Sequence, residues 1–327
     1  MKLLVLGGTG FVGRAVVHEA RTRAHHVTVL NRGHRPPPPG VTALTGDRTA
    51  PDGLAALAGG TWDAVIDTWS AAPTAVRDTA TALRGRAGHY TYVSSRSVYT
   101  GGDDAPCTED APVVDASPHS DGTTGYAEAK RGAELAAEQF FDGPVLLGRA
   151  GLILGPHEDI GRLPWWLHRL AAGGPTLAPG PRDLPLQYID ARDLANFLLD
   201  AAAAGHTGAY NVVSPSGHAS MGDVLEVGNE VTGGKADLRW TAPEAILAAG
   251  IEPWIELPIW LPPGPDHHFM HCGDVSRALA AGLTVRPVRD TVADTWTWLR
   301  SIGGQAPQRP DRPVVGLDPA REAALLF

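Results

Sequence analysis

Leu3-Leu4-Val5-Leu6-Gly7-Gly8-Thr9-Gly10-Phe11-Val12-Gly13 is an apolar run that stops at a glycine and passes straight into helical spacing. Phe11, Val12, Ala15, Val16 and Ala20 fall on one side of residues 10–24. A strand that feeds a glycine-rich turn and then a helix is the entry to a βαβ unit. The spacing G-x-x-G-x-x-G at Gly7, Gly10 and Gly13 suits a dinucleotide. Gly7 permits the tight turn, Gly10 lets backbone approach a pyrophosphate, and Gly13 lets the helix pack against the strand. The helix N-terminus then offers free N–H groups to phosphate. Thr9, Phe11 and Val12 belong to the same cradle.

Working outward, residues 26–30 (HVTVL), 63–67 (DAVID), 90–94 (YTYVS) and 143–147 (GPVLL) read as further strands, separated by longer Ala/Arg/Glu-rich segments. This alternation predicts an α/β fold with a doubly wound, mostly parallel sheet of Rossmann type. Four consecutive prolines, Pro36–Pro39, make a stiff loop after the second strand. Residues 101–125 read as a long surface loop. From about residue 155 the alternation weakens, and a smaller mixed α/β substrate domain is expected from about 156–185 and 214–300. The dinucleotide domain then comprises 1–155 and about 186–213. Residues 186–189 and 210–213 are expected to return to the main sheet. Residues 301–327 read as a linker and a last helix capped by Asp318, with Pro319 in its first turn.

Charge and composition exclude several classes. The 327 residues carry 27 Lys and Arg against 36 Asp and Glu, a net −9, so no basic surplus is available for nucleic acid. No apolar stretch approaches membrane-spanning length, and the N-terminal run is too short for a signal peptide. The two cysteines, Cys107 and Cys272, make no disulfide framework, which points to the cytoplasm. No metal site is expected, because the His267/His268 pair lacks partner spacing.

The end of the second strand bears on cofactor choice. Leu30-Asn31-Arg32-Gly33-His34-Arg35 has no carboxylate for a ribose 2′-hydroxyl and two arginines that suit a 2′-phosphate. NADP is therefore expected over NAD, with Asn31 and Arg32 beside it. Gly46-Asp47-Arg48 adds Asp47 and Arg48 near the adenine.

Only three lysines occur, at 2, 130 and 235. One of them completes Tyr126-Ala-Glu-Ala-Lys130, which puts a phenol and an ammonium on one helix face. A phenol ordinarily ionises near pH 10, and a nearby ammonium favours its anion. Tyr126 is thus a candidate general acid/base, with Lys130 as its tuner and as a ribose ligand. Ser95, at the C-terminal end of a strand, is a candidate to hold the reacting oxygen.

The glycine loop, Val93-Ser94-Ser95-Arg96-Ser97-Val98-Tyr99 and Tyr126-x-x-x-Lys130 together resemble the extended short-chain dehydrogenase/reductase family, in its NAD-dependent epimerase/dehydratase branch. Arg149…Gly155-Pro156 and residues 187–195 resemble later segments of that family. The resemblance covers about residues 1–300. It implies a Ser95-Tyr126-Lys130 triad, a Rossmann domain with a small substrate domain, and a homodimer. Where sugar-nucleotide epimerases usually carry Asn three residues before the Gly-Pro, this sequence has Leu152. The substrate region offers Trp165, Trp166, Trp254, Trp260, His267, His268 and Phe269, an aromatic and sparsely basic set. A small-molecule oxidoreductase is therefore expected, with hydride passing between nicotinamide and a carbonyl or alcohol carbon. A sugar-nucleotide epimerase or dehydratase with tightly bound NAD is the alternative. The glycine-loop, Asn-Arg-Gly and Gly-Asp-Arg pieces also resemble an atypical group that includes chloroplast RNA-binding proteins. A non-catalytic dinucleotide-binding protein is thus a second alternative.

Overall fold

Every residue of the first strand from Leu3 to Leu6 is buried, and alternate residues face opposite ways. Leu3 and Val5 join one core, with Val16, Val17 and Ala20 of the first helix and Leu194, Leu198 and Leu199 of a later one. Leu4 and Leu6 join another core, with Val76, Ala80, Ala133 and Ala137. A strand apolar at every position is what a parallel sheet covered on both faces requires.

The computed structural model describes residues 1–101, 107–306 and 308–327. Its central sheet has seven parallel strands: β1 (Lys2–Leu6), β2 (His26–Asn31), β3 (Thr42–Thr45), β4 (Ala64–Asp67), β5 (Tyr90–Ser95), β6 (Val145–Ala150) and β7 (Gly208–Val212). Their spatial order is β7-β6-β5-β4-β1-β2-β3. Helices α1 (Phe11–Thr22), α2 (Pro73–Ala82), α3 (Tyr126–Phe140), α4 (Arg162–Ala172) and α5 (Ala191–Ala203) follow in chain order. Those of the sheet divide between its faces, α1 and α5 on one and α2 and α3 on the other. The chain leaves β1 in one direction for β2, and β4 lies on the other side of β1. The carboxyl ends of β1 and β4 therefore border the crevice where ligands sit in such sheets.

A third core gathers Leu154, Trp166, Leu170, Leu177, Leu225, Ile246, Trp260 and Leu299. It is built by α4, α6 (Met221–Thr232), α7 (Pro243–Ala248), α10 (Val288–Ser301) and α11 (Pro319–Leu326), with short strand pairs between them, while of the intervening α8 (Pro265–His271) and α9 (Ser276–Ala280) the latter packs Ala278 on the first core. Trp166 and Trp260 are fully buried here. Their indole N–H groups donate to the carbonyls of Pro258, at 2.7 Å, and Gly180, at 3.0 Å. They are packing residues, not substrate lining.

One strand expectation is corrected. Gly208–Val212 joins the main sheet, but Tyr188–Asp190 pairs instead with Leu152–Leu154 beyond it. Asp190 then ends its strand by capping α5, its carboxylate accepting from the Arg192 N–H at 2.8 Å. Of the residues 101–125 expected as a loop, 102–106 lie outside those described. The last helix starts at Pro319 with the Asp318 carboxylate accepting from the Ala320 and Arg321 N–H groups. Leu325 and Leu326 pack on the third core, and Phe327 is exposed.

Candidate active site

The glycine loop closes as a turn from β1 into α1. Gly7 adopts φ +95°, and a Cβ at Gly13 would stand 2.2 Å from the Gly7 carbonyl oxygen. Only glycine lets α1 press this closely on the turn. A Cβ at Gly10 would meet nothing nearer than 3.8 Å, so that side of the loop is open. Gly10 is the N-cap of α1 and offers no side chain, which leaves the first-turn N–H groups available to an anion. This cradle fits the pyrophosphate of a dinucleotide.

The same cleft, of about 390 Å³, is lined by Gly10, Phe11, Val12 and Gly13 at one part and by Ser95, Tyr126 and Lys130 at another. Tyr126 opens α3 and is 40% exposed. Lys130, one turn on, is buried. Its Nζ donates to the carbonyls of Trp69 and Val93, each at 2.7 Å, and stands 4.8 Å from the centre of the Tyr92 ring. Burial pushes its pKa down to about 7, against the pull of Asp67 and Glu134. A neutral amine keeps two donors, matching the two carbonyls. The ammonium has a third for a ligand or for Tyr126.

This carries a pH consequence. The unfolded lysine binds its proton up to about 10.5 and the folded one only to about 7. Between those values the unfolded chain holds more protons, so stability rises with pH across the window and is lost as pH falls through it. Melting temperatures of wild type and Lys130→Met, compared from pH 6 to 9, should move apart in favour of wild type as pH rises. A constant gap contradicts this.

Adjacent serines at the end of β5 point opposite ways. Ser94 Oγ donates to the buried Glu134 carboxylate at 2.6 Å, so it is committed to the protein's own ionic network with Arg149. Ser95 lines the cleft and meets only Ser97, whose N–H it accepts at 3.1 Å. Of the two, Ser95 is the one whose hydroxyl is not taken up by a buried carboxylate.

Asn31, Arg32 and Asp47 stand together at the carboxyl ends of β2 and β3. Asn31 Oδ1 accepts from the Gly33 N–H at 2.9 Å, and its carbonyl accepts from the Gly46 N–H at 3.0 Å. Arg32 is exposed. Hydrogen bonds from Thr49 hold the Asp47 carboxyl below its usual range, with help from Arg32 and His34. Thr9 stays in the glycine loop, where its carbonyl accepts from Arg35 at 3.4 Å.

Arg48 corrects the expectation that it meets the adenine. Its guanidinium is buried and forked onto Asp67, with both N–H···O distances at 2.7 Å. Thr79 Oγ1 and the Ala75 carbonyl take further donors. These bonds take four of its five N–H donors, and it does not line the cleft.

The lining also corrects the sparsely basic expectation. It includes Arg96, Arg162, Arg309 and Arg312, with Asp159 as its carboxylate. Of the aromatic candidates, Trp254 and Phe269 line it. Thr68 and Ser70 line it too, beyond the end of β4, a position that marks ligand crevices in such sheets. Among the described residues no group of His, Cys, Asp and Glu is arranged to hold a metal ion, and no helix is long and apolar enough to cross a membrane.

Comparison with known proteins finds a match to the NAD dependent epimerase/dehydratase family over residues 3–213. The 2'-dehydrokanamycin reductase of Streptomyces kanamyceticus is 44% identical over 70 residues, 20% of either chain. The epimerase family protein SDR39U1 of Bos taurus is 29% identical over 236 residues, covering 66% of this chain and 75% of that one. The fold is shared with WbmG of Bordetella bronchiseptica, solved with NAD and UDP. The TM-score is 0.69 at 20% identity, covering 93% of this chain and 96% of that one.

Proposed function

The chain belongs to the NAD dependent epimerase/dehydratase family, an extended short-chain dehydrogenase/reductase class of enzymes, and we propose that it is an NADP(H)-dependent oxidoreductase acting on a carbonyl or alcohol carbon. The observation that carries this is the shared cleft, in which Gly10–Gly13 and Ser95, Tyr126 and Lys130 line one space. Gly7, Gly10 and Gly13 shape the cradle, and Lys130 has one donor to spare for the ribose. When bound, the dinucleotide supplies or accepts the hydride. In the reducing direction the Tyr126 phenol gives its proton to the carbonyl oxygen, so that hydride at carbon and proton at oxygen make the alcohol. In the oxidising direction it takes that proton back. Ser95 Oγ donates to the same oxygen and fixes it as charge develops. Lys130 stands one turn along α3 from Tyr126, on the same helix face.

Arg32 supports NADP over NAD. It is exposed at the end of β2, where a carboxylate would favour a free 2′-hydroxyl. The test is titration of wild type and Arg32→Asp with NADPH and NADH, reading nicotinamide fluorescence. Wild type should prefer NADPH, and the variant should lose that preference by roughly 10-fold or more, the worth of one charge-assisted contact. An unchanged ratio contradicts the assignment. Net consumption of NADPH with a ketone supports the reductase. Turnover without consumption, or NAD locked in the purified protein, favours the epimerase.

A further inference from the structure

Residues 309–316 lie along the cleft, which Arg309 and Arg312 line. The Arg309 N–H donates to the Asp159 carbonyl at 3.0 Å, and the Gly316 N–H to the Ile255 carbonyl at 2.8 Å. Between them the Arg312 guanidinium lies 4.9 Å from the centre of the Tyr126 ring. Beyond them Leu317 is buried in the third core. The buried Glu322 carboxylate accepts from Arg169 at 2.7 Å and from the Leu177 N–H at 2.9 Å. The segment is therefore fastened on both sides of Arg312.

Three arginines of the lining share an unusual state. Arg96, Arg162 and Arg312 each have a buried Nε without a hydrogen-bond partner among the described residues. Arg96 is 4% exposed, and its other nitrogens meet neutral acceptors, the Gln187 side-chain oxygen and the carbonyls of Phe269 and Met270. Arg162 lies 4.9 Å from the centre of the Trp254 ring. Arg309, by contrast, is forked onto Asp311. Burial pushes the pKa of both Arg96 and Arg162 down; Arg312 adds to the effect at Arg162, while Glu158 opposes it. Buried guanidinium donors are ordinarily satisfied, and an unpaired buried cation is costly.

We propose that Arg96, Arg162 and Arg312 bind an oxyanion group of the substrate, carboxylate or phosphate, so that the C-terminal segment sets specificity beside Tyr126. This rests on the function proposed above, since it treats the space near Tyr126 as the substrate's. The glycine loop has its own N–H groups for the dinucleotide's pyrophosphate, which leaves these arginines for a second anion. A guanidinium fork matches the two oxygens of a carboxylate or phosphate. Arg312 lies outside the 3–213 stretch that matches the family.

The test is calorimetric titration with two probes, inorganic pyrophosphate and succinate, at fixed ionic strength. It is run on protein alone and on protein saturated with NADPH, which fills the glycine loop. Wild type should bind one of the probes with NADPH present, and which one binds tells phosphate from carboxylate. Arg312→Gln and Arg162→Gln should each weaken that binding about 10-fold or more. Arg300→Gln, on the exposed face of α10, should not. Unchanged melting temperatures identify folded variants. Arg312 sits on an irregular segment, so its variant keeps the test open if another unfolds. Failure of wild type to bind either probe overturns the proposal, as does equal binding by all variants. So does NADPH abolishing anion binding while Arg312→Gln loses NADPH affinity, because the arginines would then serve the cofactor. Absence of NADPH binding in wild type counts against the proposed function instead, and the probe titrations on protein alone still decide the anion site.

Discussion

Tyr126→Phe should lower the rate of the chemical step by about 10²–10⁴-fold, the usual worth of a positioned acid/base, while leaving NADPH affinity within a few-fold. The variant keeps the ring, and so keeps the stack under Arg312. It loses only the hydroxyl, which makes no hydrogen bond to the described residues and which the fold can therefore spare. Single-turnover kinetics with a responsive ketone or alcohol, beside a fluorescence titration, separate the two effects. A variant that turns over at the wild-type rate would remove Tyr126 from the chemistry. One that loses NADPH binding as well would make it a binding residue.

Asp67→Ala should cost about 3–5 kcal/mol of stability, because it leaves the Arg48 guanidinium buried without its counter-charge. Asp67 accepts both forks of Arg48, the Tyr90 hydroxyl at 2.5 Å and the Trp69 N–H at 3.0 Å. The pair ties the exit of β3 to the end of β4 and to α2, directly beneath Thr68 and the cleft. For a chain of this length that loss corresponds to a fall in melting temperature of roughly 4–7 °C. Replacing both partners with apolar residues, as in Arg48→Met with Asp67→Leu, should recover much of the loss, since no lone charge then remains. Thermal melts of the single and double variants check this. A double variant less stable than Asp67→Ala would show that the ion pair stabilises in its own right.

What could be read from the residues alone follows from how local the physics is. The glycine loop and the apolar run before it are decided within a dozen residues, and the parallel sheet follows from strands apolar on both faces. Strand ends differ by one to three residues, as at Val145–Ala150 against 143–147, because pairing partners set them. Tyr188–Asp190 was assigned to the wrong partner for the same reason. Arg48 was misassigned because its partner lies nineteen residues away across the sheet, and nothing in Gly-Asp-Arg reveals it. Trp166 and Trp260 read as possible lining because an aromatic residue looks alike in a core and in a pocket. Arg309 and Arg312 of the cleft are hidden for a different reason. Residues 301–313 have no period and are rich in Gly and Pro, so they read as linker, and what fastens this part of the chain are the backbone hydrogen bonds of Arg309 to Asp159 and of Gly316 to Ile255. The Arg-Pro-Asp-Arg-Pro stretch at 309–313 was the available signal, two cations on a stiffened backbone.

The most direct test of dinucleotide seating is a crystal structure of the protein soaked with NADPH. The pyrophosphate is expected on the N–H groups at Gly10–Gly13. The adenine ribose should lie toward Arg32, and nicotinamide C4 should face the open space beside the Tyr126 hydroxyl. Nicotinamide density away from Tyr126, or a dinucleotide bound outside the glycine loop, would contradict both the proposed acid/base role and the single cleft on which it rests.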